Sequence, residues 1–175
     1  MPIDETRAFR PVRIALLTVS DTRTAAEDKS GDILADRIAA AGHILAERAL
    51  LKDDAADIVA LLHRWVDDAM IDCIIVTGGT GLTGRDVTPE ALAQLGGKDI
   101  PGFGELFRWL SFAKIGTSTI QSRACAVVAR GTYVFALPGS TGAVKDGWDD
   151  ILVHQLDSRF RPCNFVELMP RLREV

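Results

Sequence analysis

Short, continuous apolar runs alternate along the chain with longer segments in which apolar residues recur every three or four positions. Val12–Val19 (VRIALLTV) is the first run. It is branched and apolar, it stops at Ser20-Asp21, and it predicts a strand buried on both faces. Asp72–Thr77 (DCIIVT) predicts another, and Ile44–Leu51 a weaker one between them. The segments between the runs predict helices. Ser30 is a candidate cap for a helix to about Ala41, with Gly42 as its stop. In Asp53–Ala69 the residues Ile58, Leu61, Leu62, Trp65 and Val66 fall on one face. Thr88 is a candidate cap for the next helix, with Pro89 at its first position and Glu90 behind it. Ile100-Pro-Gly-Phe-Gly predicts a turn, and a helix follows from about Glu105. Ala124–Val128 and Thr132–Leu137 predict two strands around Arg130-Gly131. Pro138-Gly139 ends the second, and Ser140 or Thr141 starts a long helix to about Leu156.

Strands alternating with helices, each strand apolar throughout, predict an α/β fold with a mainly parallel central sheet covered on both sides. The 175 residues show no repeat, linker or low-complexity stretch. An N-terminal arm, residues 1–11, followed by one domain, residues 12–175, is the expected organisation.

Charge and composition narrow the function classes. A net charge of -4 argues against a basic nucleic-acid face. No apolar run approaches the roughly 18 residues of a membrane helix. The start, MPIDETRAFRPV, has no apolar signal core, so a cytoplasmic protein is expected. Cys73, Cys125 and Cys163 form no CxxC pair, and His43, His63 and His154 have no ligand spacing. Buried structural thiols are expected, not a metal or disulfide site.

Candidate chemistry concentrates in VTGGTGLTGRDVTPEAL, Val76–Leu92, between a buried strand and a helix start. Gly78, Gly79 and Gly81 let backbone N–H groups approach an anion with no Cβ in the way. The alternative is a tight turn that needs positive φ. Gly79, Gly81 and Gly84 spell a dinucleotide fingerprint, but Arg85-Asp86-Val87 intervene before the helix, and Glu105 lies in a helical segment where the fingerprint wants a strand-tip acid. Asp86 beside a phosphate cradle implies a cation between them, Mg²⁺ held by carboxylates and substrate phosphates, or else a helix-terminus partner. Leu137-Pro-Gly-Ser-Thr-Gly142 is a second glycine turn at a strand end, placed to face the same crevice. Asp146, Asp149 and Asp150 read as dipole partners of the following helix. Phe103, Phe107, Trp109 and Leu110 read as core or subunit interface. No histidine adjoins either glycine loop, so an enzyme of this kind supplies no covalent nucleophile. Phosphoryl or nucleotidyl transfer fits that absence.

These motifs resemble one family. TVSDTRT (Thr18–Thr24), DKSG (Asp28–Gly31), TGGTG (Thr77–Gly81), RDVTPEA (Arg85–Ala91), PGFGELFR (Pro101–Arg108), QSRA (Gln121–Ala124) and LPGSTGAV (Leu137–Val144) are similar to the MogA/MoaB molybdopterin-binding family. The tail GWDDILVHQLDSRFRPCNFVEL resembles the MoaB branch. The resemblance implies a three-layer α/β domain that assembles as a trimer or a hexamer and serves molybdenum cofactor synthesis. MogA-like members adenylylate molybdopterin: its terminal phosphate attacks the α-phosphate of Mg-ATP, and pyrophosphate leaves. It implies catalytic and metal-bearing roles for Asp53 and Asp86. Pterin and phosphate positions are Ser20, Asp21, Ser30, Gly31, Thr77, Gly78, Gly79, Thr80, Gly81, Ser122 and Arg123. The LPGSTG loop, Pro138, Gly139, Ser140, Thr141 and Gly142, departs from relatives' LPGxP form and falls on the nucleotide side. A Mg-ATP-dependent adenylyltransferase and a non-catalytic molybdopterin carrier are the two functional readings, and retention of both Asp53 and Asp86 favours the enzyme.

Overall fold

The computed structural model describes residues 3–174; Met1 and Pro2 of the expected arm and Val175 of the expected domain lie outside them. The strands are β1 (Arg13–Val19), β2 (Ile44–Leu51), β3 (Cys73–Thr77), β4 (Lys98–Asp99), β5 (Cys125–Ala129) and β6 (Thr132–Leu137). They form one sheet in the order β2-β1-β3-β6-β5-β4. β2, β1, β3 and β6 run parallel, whereas β5 is antiparallel to β6 and to β4. The sheet is mainly parallel, as the apolar strands predict.

Strand periodicity sorts the core into two layers. Ile14, Leu16, Ile75, Phe135 and Leu137 face one side, with Leu34, Ile38, Phe103, Phe107 and Trp148 packed on them. Ala15, Leu17, Ile74, Val76, Val134 and Ala136 face the other, beneath Ile58, Leu62, Trp65 and Val66. Successive side chains of a strand point to opposite faces, so strands buried on both sides read as unbroken apolar runs. The first layer of helices holds α1 (Lys29–Ala40), α4 (Pro101–Ile115) and α5 (Thr141–Gly147); the second holds α2 (Ala55–Asp67) and α3 (Thr88–Ala93). The helix begun by α5 continues through a wider turn, Trp148–Leu152, into α6 (Val153–Gln155). α7 (Phe165–Leu168) closes the chain. The arm folds back on its own C-terminal segment: Asp4 N–H donates to the Arg159 carbonyl, and the Ser158 hydroxyl joins Ala8 to Arg10.

Several boundaries differ from the sequence reading. Ile100-Pro-Gly-Phe-Gly is no turn but the start of α4, which begins at Pro101. A Cβ on Gly104 would lie 2.3 Å from the Ala124 carbonyl oxygen, so this glycine serves close helix–strand packing within the helix. The helix expected from Ser30 is capped by Asp28, whose carboxylate accepts from Gly31 N–H. Asp54, not Asp53, caps α2, accepting from Ala56 and Asp57 N–H. Thr88 sits inside α3 and Val87 holds the cap position. Cys163 is exposed rather than buried, and of the four-residue cluster Phe103 and Phe107 are core whereas Trp109 is 73% exposed.

Candidate active site

β3 and β6 are parallel neighbours in register, Thr77 opposite Leu137, so the loops after them leave the same end of the sheet. They touch. Gly78 N–H donates to the Leu137 carbonyl, and a Cβ on Gly139 would lie 3.1 Å from the Gly78 Cα. The loop after β1 opens at the same edge, because Thr18 pairs with Thr77. The three loops bound a cleft of about 760 Å³, closed on its far side by Phe107, Ser111, Lys114 and Ile115 of α4 and by the 3₁₀ turn Gly116–Gln121. That size suits a nucleotide- or pterin-sized ligand.

Glycine is required at the cradle by geometry. Gly78 has φ +101° and Gly79 φ +63°. A Cβ on Gly78 would meet the Val19 carbonyl oxygen at 2.1 Å, and one on Gly79 would sit 2.9 Å from Asp53 Oδ1. Among the described residues no protein acceptor meets the Gly79 or Thr80 N–H. Thr88 fixes the turn: its N–H donates to the Gly79 carbonyl and its Oγ1 to the Gly78 carbonyl. Gly84, third glycine of the apparent dinucleotide fingerprint, has open space around it and no positive φ. That fingerprint needs its third glycine for close helix–strand contact, and here there is none.

Three carboxylates gather over the cradle in different states. Asp21 receives Arg85 through both oxygens, at 2.9 and 2.7 Å, and that hydrogen-bonded pair holds its pKa down. Asp86 accepts from the Thr83 hydroxyl at 2.6 Å and the Thr83 N–H at 2.8 Å, which lowers its pKa too. The Asp53 carboxylate receives no side-chain donor from any described residue, and only the Asp21 N–H acts on it, as the smallest influence on its pKa. Burial, then the neighbouring Asp21 and Asp86 charges, raise its pKa. A carboxylate desolvated beside two others and offered no side-chain donor is a place where a hard cation lowers the energy. The donors are all oxygen, and two carboxylates plus substrate phosphates are a usual Mg²⁺ set, so Asp53 and Asp86 fit that ion.

The remaining predicted residues divide into those lining the cleft and those holding it. Ser20, Asp21, Gly78, Gly79, Thr80, Gly81, Ser122, Pro138, Gly139, Ser140 and Gly142 line it with Asp53 and Asp86. Ser30, Gly31, Thr77, Arg123 and Thr141 do not. The Ser30 hydroxyl donates to the Gly139 carbonyl at 2.8 Å, and the Thr77 hydroxyl to the Pro138 carbonyl at 3.2 Å. Gly31 packs on Asp28, with no room for a Cβ. Arg123 ties the glycine loop shut: Nε donates to the Gly81 carbonyl at 2.7 Å, Nη2 to the Asp86 carbonyl at 2.8 Å, and Nη1 pairs with Glu90. The sequence reading missed Arg23 and Lys114. Arg23 donates to the Gly139 carbonyl at 3.0 Å, and Lys114 Nζ bonds Asp146 Oδ1 at 2.6 Å. Arg23 stood inside the quoted TVSDTRT; Lys114 lies on a helix whose pattern carried no signal of a site.

Fold and cleft together define an open α/β protein with a glycine-lined, acid-flanked crevice beyond the carboxyl ends of its strands, where ligands of such sheets bind. Residues 15–158 match the family described as "Probable molybdopterin binding domain". The chain is 48% identical over 157 residues to Molybdenum cofactor biosynthesis protein B of Escherichia coli (strain K12), covering 90% of this chain and 92% of that protein. A crystal structure of a Molybdenum cofactor biosynthesis protein B superposes with TM-score 0.86 at 35% identity, over 97% of this chain and 100% of that one. The tungsten cofactor synthesizing protein MoaB from Pyrococcus furiosus superposes with TM-score 0.78 at 31% identity, over 95% and 100%. The chain belongs to the MoaB/MogA molybdopterin-binding family and resembles its MoaB branch.

Proposed function

We propose that the protein acts in molybdenum cofactor biosynthesis, binding molybdopterin in this cleft and adenylylating it with Mg-ATP. The observation that carries the reading is Asp53: a half-buried carboxylate with no side-chain donor, its pKa raised by burial and by Asp21 and Asp86, beside a glycine cradle. A terminal phosphate oxygen of molybdopterin attacks the α-phosphorus of ATP, the bond to the bridging oxygen breaks, and pyrophosphate leaves. The attacking oxygen is already anionic, so no side-chain nucleophile is needed, and positioning with charge neutralisation supplies the rate. Gly79 and Thr80 N–H groups bind phosphate, with Ser20, Thr80 and Ser122 as further hydrogen-bonding partners. Pro138, Gly139, Ser140 and Gly142 form the nucleotide side. Asp53 and Asp86 would hold Mg²⁺, which would supply neutralising charge to the bound phosphates. Exposed Leu106, Trp109, Phe112, Ile115 and Ile120 on α4 and the turn after it supply an apolar face for a trimer or a hexamer.

One observation favours the carrier reading. One Asp86 oxygen, Oδ2, is already held by the Thr83 N–H and hydroxyl, and on the carrier reading that hold, which shapes the loop, is its whole role. Incubation of the purified protein with molybdopterin and Mg-ATP separates the two: pyrophosphate with adenylylated molybdopterin supports the enzyme, and bound pterin without pyrophosphate supports the carrier.

A further inference from the structure

A second hollow, about 490 Å³, lies at the opposite end of the sheet from the cleft, where β6 begins and α2 ends. Its charged lining is Lys98, Arg130 and Arg173 against one acid, Asp67. Three cations facing one concavity run against a chain whose net charge is -4. Asp67 pairs with Arg130. Among the described residues no carboxylate lies within ion-pair reach of Lys98 or Arg173. Lys98 and Asp99 are successive strand residues and face opposite ways, and Asp99 lines a different hollow, so it does not neutralise Lys98 there.

Arg130 supplies an independent observation. It is the first of two residues linking β5 to β6, with φ +52°, and Gly131 follows with φ +89°. Such hairpin turns favour Asn or Asp followed by Gly, because a Cβ crowds the following carbonyl oxygen in the left-handed region and only short polar side chains offset that by bonding locally. Arg130 is the only described non-glycine residue with positive φ. Its pair with Asp67 is about half exposed on both sides, and pairs of that kind add little stability. The ion pair therefore does not explain an arginine at this position. Arg173 crosses the same turn: a Cβ on Gly131 would lie 2.5 Å from its Nε. The turn thus gathers two guanidiniums, planar donors suited to phosphate and carboxylate oxygens, beside a lysine.

We propose that this hollow is a second anion site, separate from the cleft, that takes a compact polyanion: a small molecule with two or more phosphate or carboxylate groups. The test is calorimetric titration of the full chain with inorganic pyrophosphate, tripolyphosphate and citrate at fixed ionic strength, so that the arms tell phosphate from carboxylate ligands. Lys98→Gln/Arg173→Gln weakens binding of at least one of them tenfold or more, and Lys98→Arg/Arg173→Lys keeps it within about threefold. Arg130→Asn relieves the turn, so its melting temperature holds or rises while affinity falls several-fold. A merely structural Arg130 gives the opposite pair of results. If none of the three anions binds, or binding is unchanged when both charges are removed, the proposal is overturned.

Discussion

The Asp53 carboxylate is half-buried without a side-chain donor, whereas Asp86 is held by the Thr83 N–H and hydroxyl, so the same substitution has opposite effects on stability at the two positions. The folded state raises the Asp53 pKa, so ionised Asp53 opposes folding at neutral pH, and that penalty fades as pH falls through the folded value. Asp53→Asn is expected to raise the melting temperature at pH 7–8, with the gain shrinking towards pH 4. The Asp86 pKa is lowered, so its contribution is present above the unfolded value and lost as pH falls through the folded one. Asp86→Asn is expected to cost about 1.5 kcal/mol near neutral pH, the low end for a hydrogen bond to a charged group because the site is partly exposed. Melting curves of the three proteins between about pH 2.5 and pH 8 check both signs, because the Asp86 contribution is lost only below its ordinary carboxylate pKa. A destabilised Asp53→Asn would mean that its carboxylate has a partner. Both acids were legible as chemistry-bearing residues because they flank glycines in a short loop or precede a helix. Their different states were not, because Thr83 and Asp21 decide them through contacts that spacing does not encode.

At the scale of elements, the glycine loop is held from three sides, by Leu137, Thr88 and Arg123, and each hold requires a bare or bent backbone. Gly78→Ala forces a Cβ onto the Val19 carbonyl at φ +101° and is expected to cost roughly 2–4 kcal/mol. Gly84→Ala meets nothing and is expected to be neutral or to stabilise by up to about 1 kcal/mol. Urea denaturation of both variants measures the contrast, and equal costs would contradict this account of the loop. β1, β3 and β6 were legible because runs buried on both faces leave little alternative, and β2, with no buried residue, was the weaker strand in the sequence. The start of α4 was not, because Pro-Gly-Phe-Gly has the composition of a turn, and only the approach of Ala124 explains a glycine inside the helix. β4, Lys98–Asp99, is two exposed residues long and has no apolar signal to read. The far wall of the cleft was missed for a related reason: Ser111, Lys114 and Thr119 acquire meaning only when α4 folds over the strand ends.

At the scale of the whole molecule, five of the ten exposed large apolar residues among those described, Leu106, Trp109, Phe112, Ile115 and Ile120, lie on α4 and the turn after it. Trp109 is 73% exposed and Ile120 80% exposed, and Ile115 beside them also lines the cleft. Light scattering at micromolar concentration is expected to give a trimer or a hexamer, and Trp109→Ser/Ile120→Ser to shift it towards the monomer. A monomeric parent protein would remove the apolar face from the account. The central claim is that Asp53 and Asp86 act through one bound cation on two polyanionic substrates. The most direct measurement is molybdopterin-dependent pyrophosphate release by the parent, Asp53→Asn, Asp86→Asn and the double variant across a magnesium titration. Each single variant is expected to lose about 10²–10³-fold, the scale for removing one preorganised electrostatic group. The double variant is expected to fall short of the product of the two losses, with a higher magnesium requirement in both singles. Full activity in Asp86→Asn, or an unchanged magnesium dependence in either single variant, would contradict it.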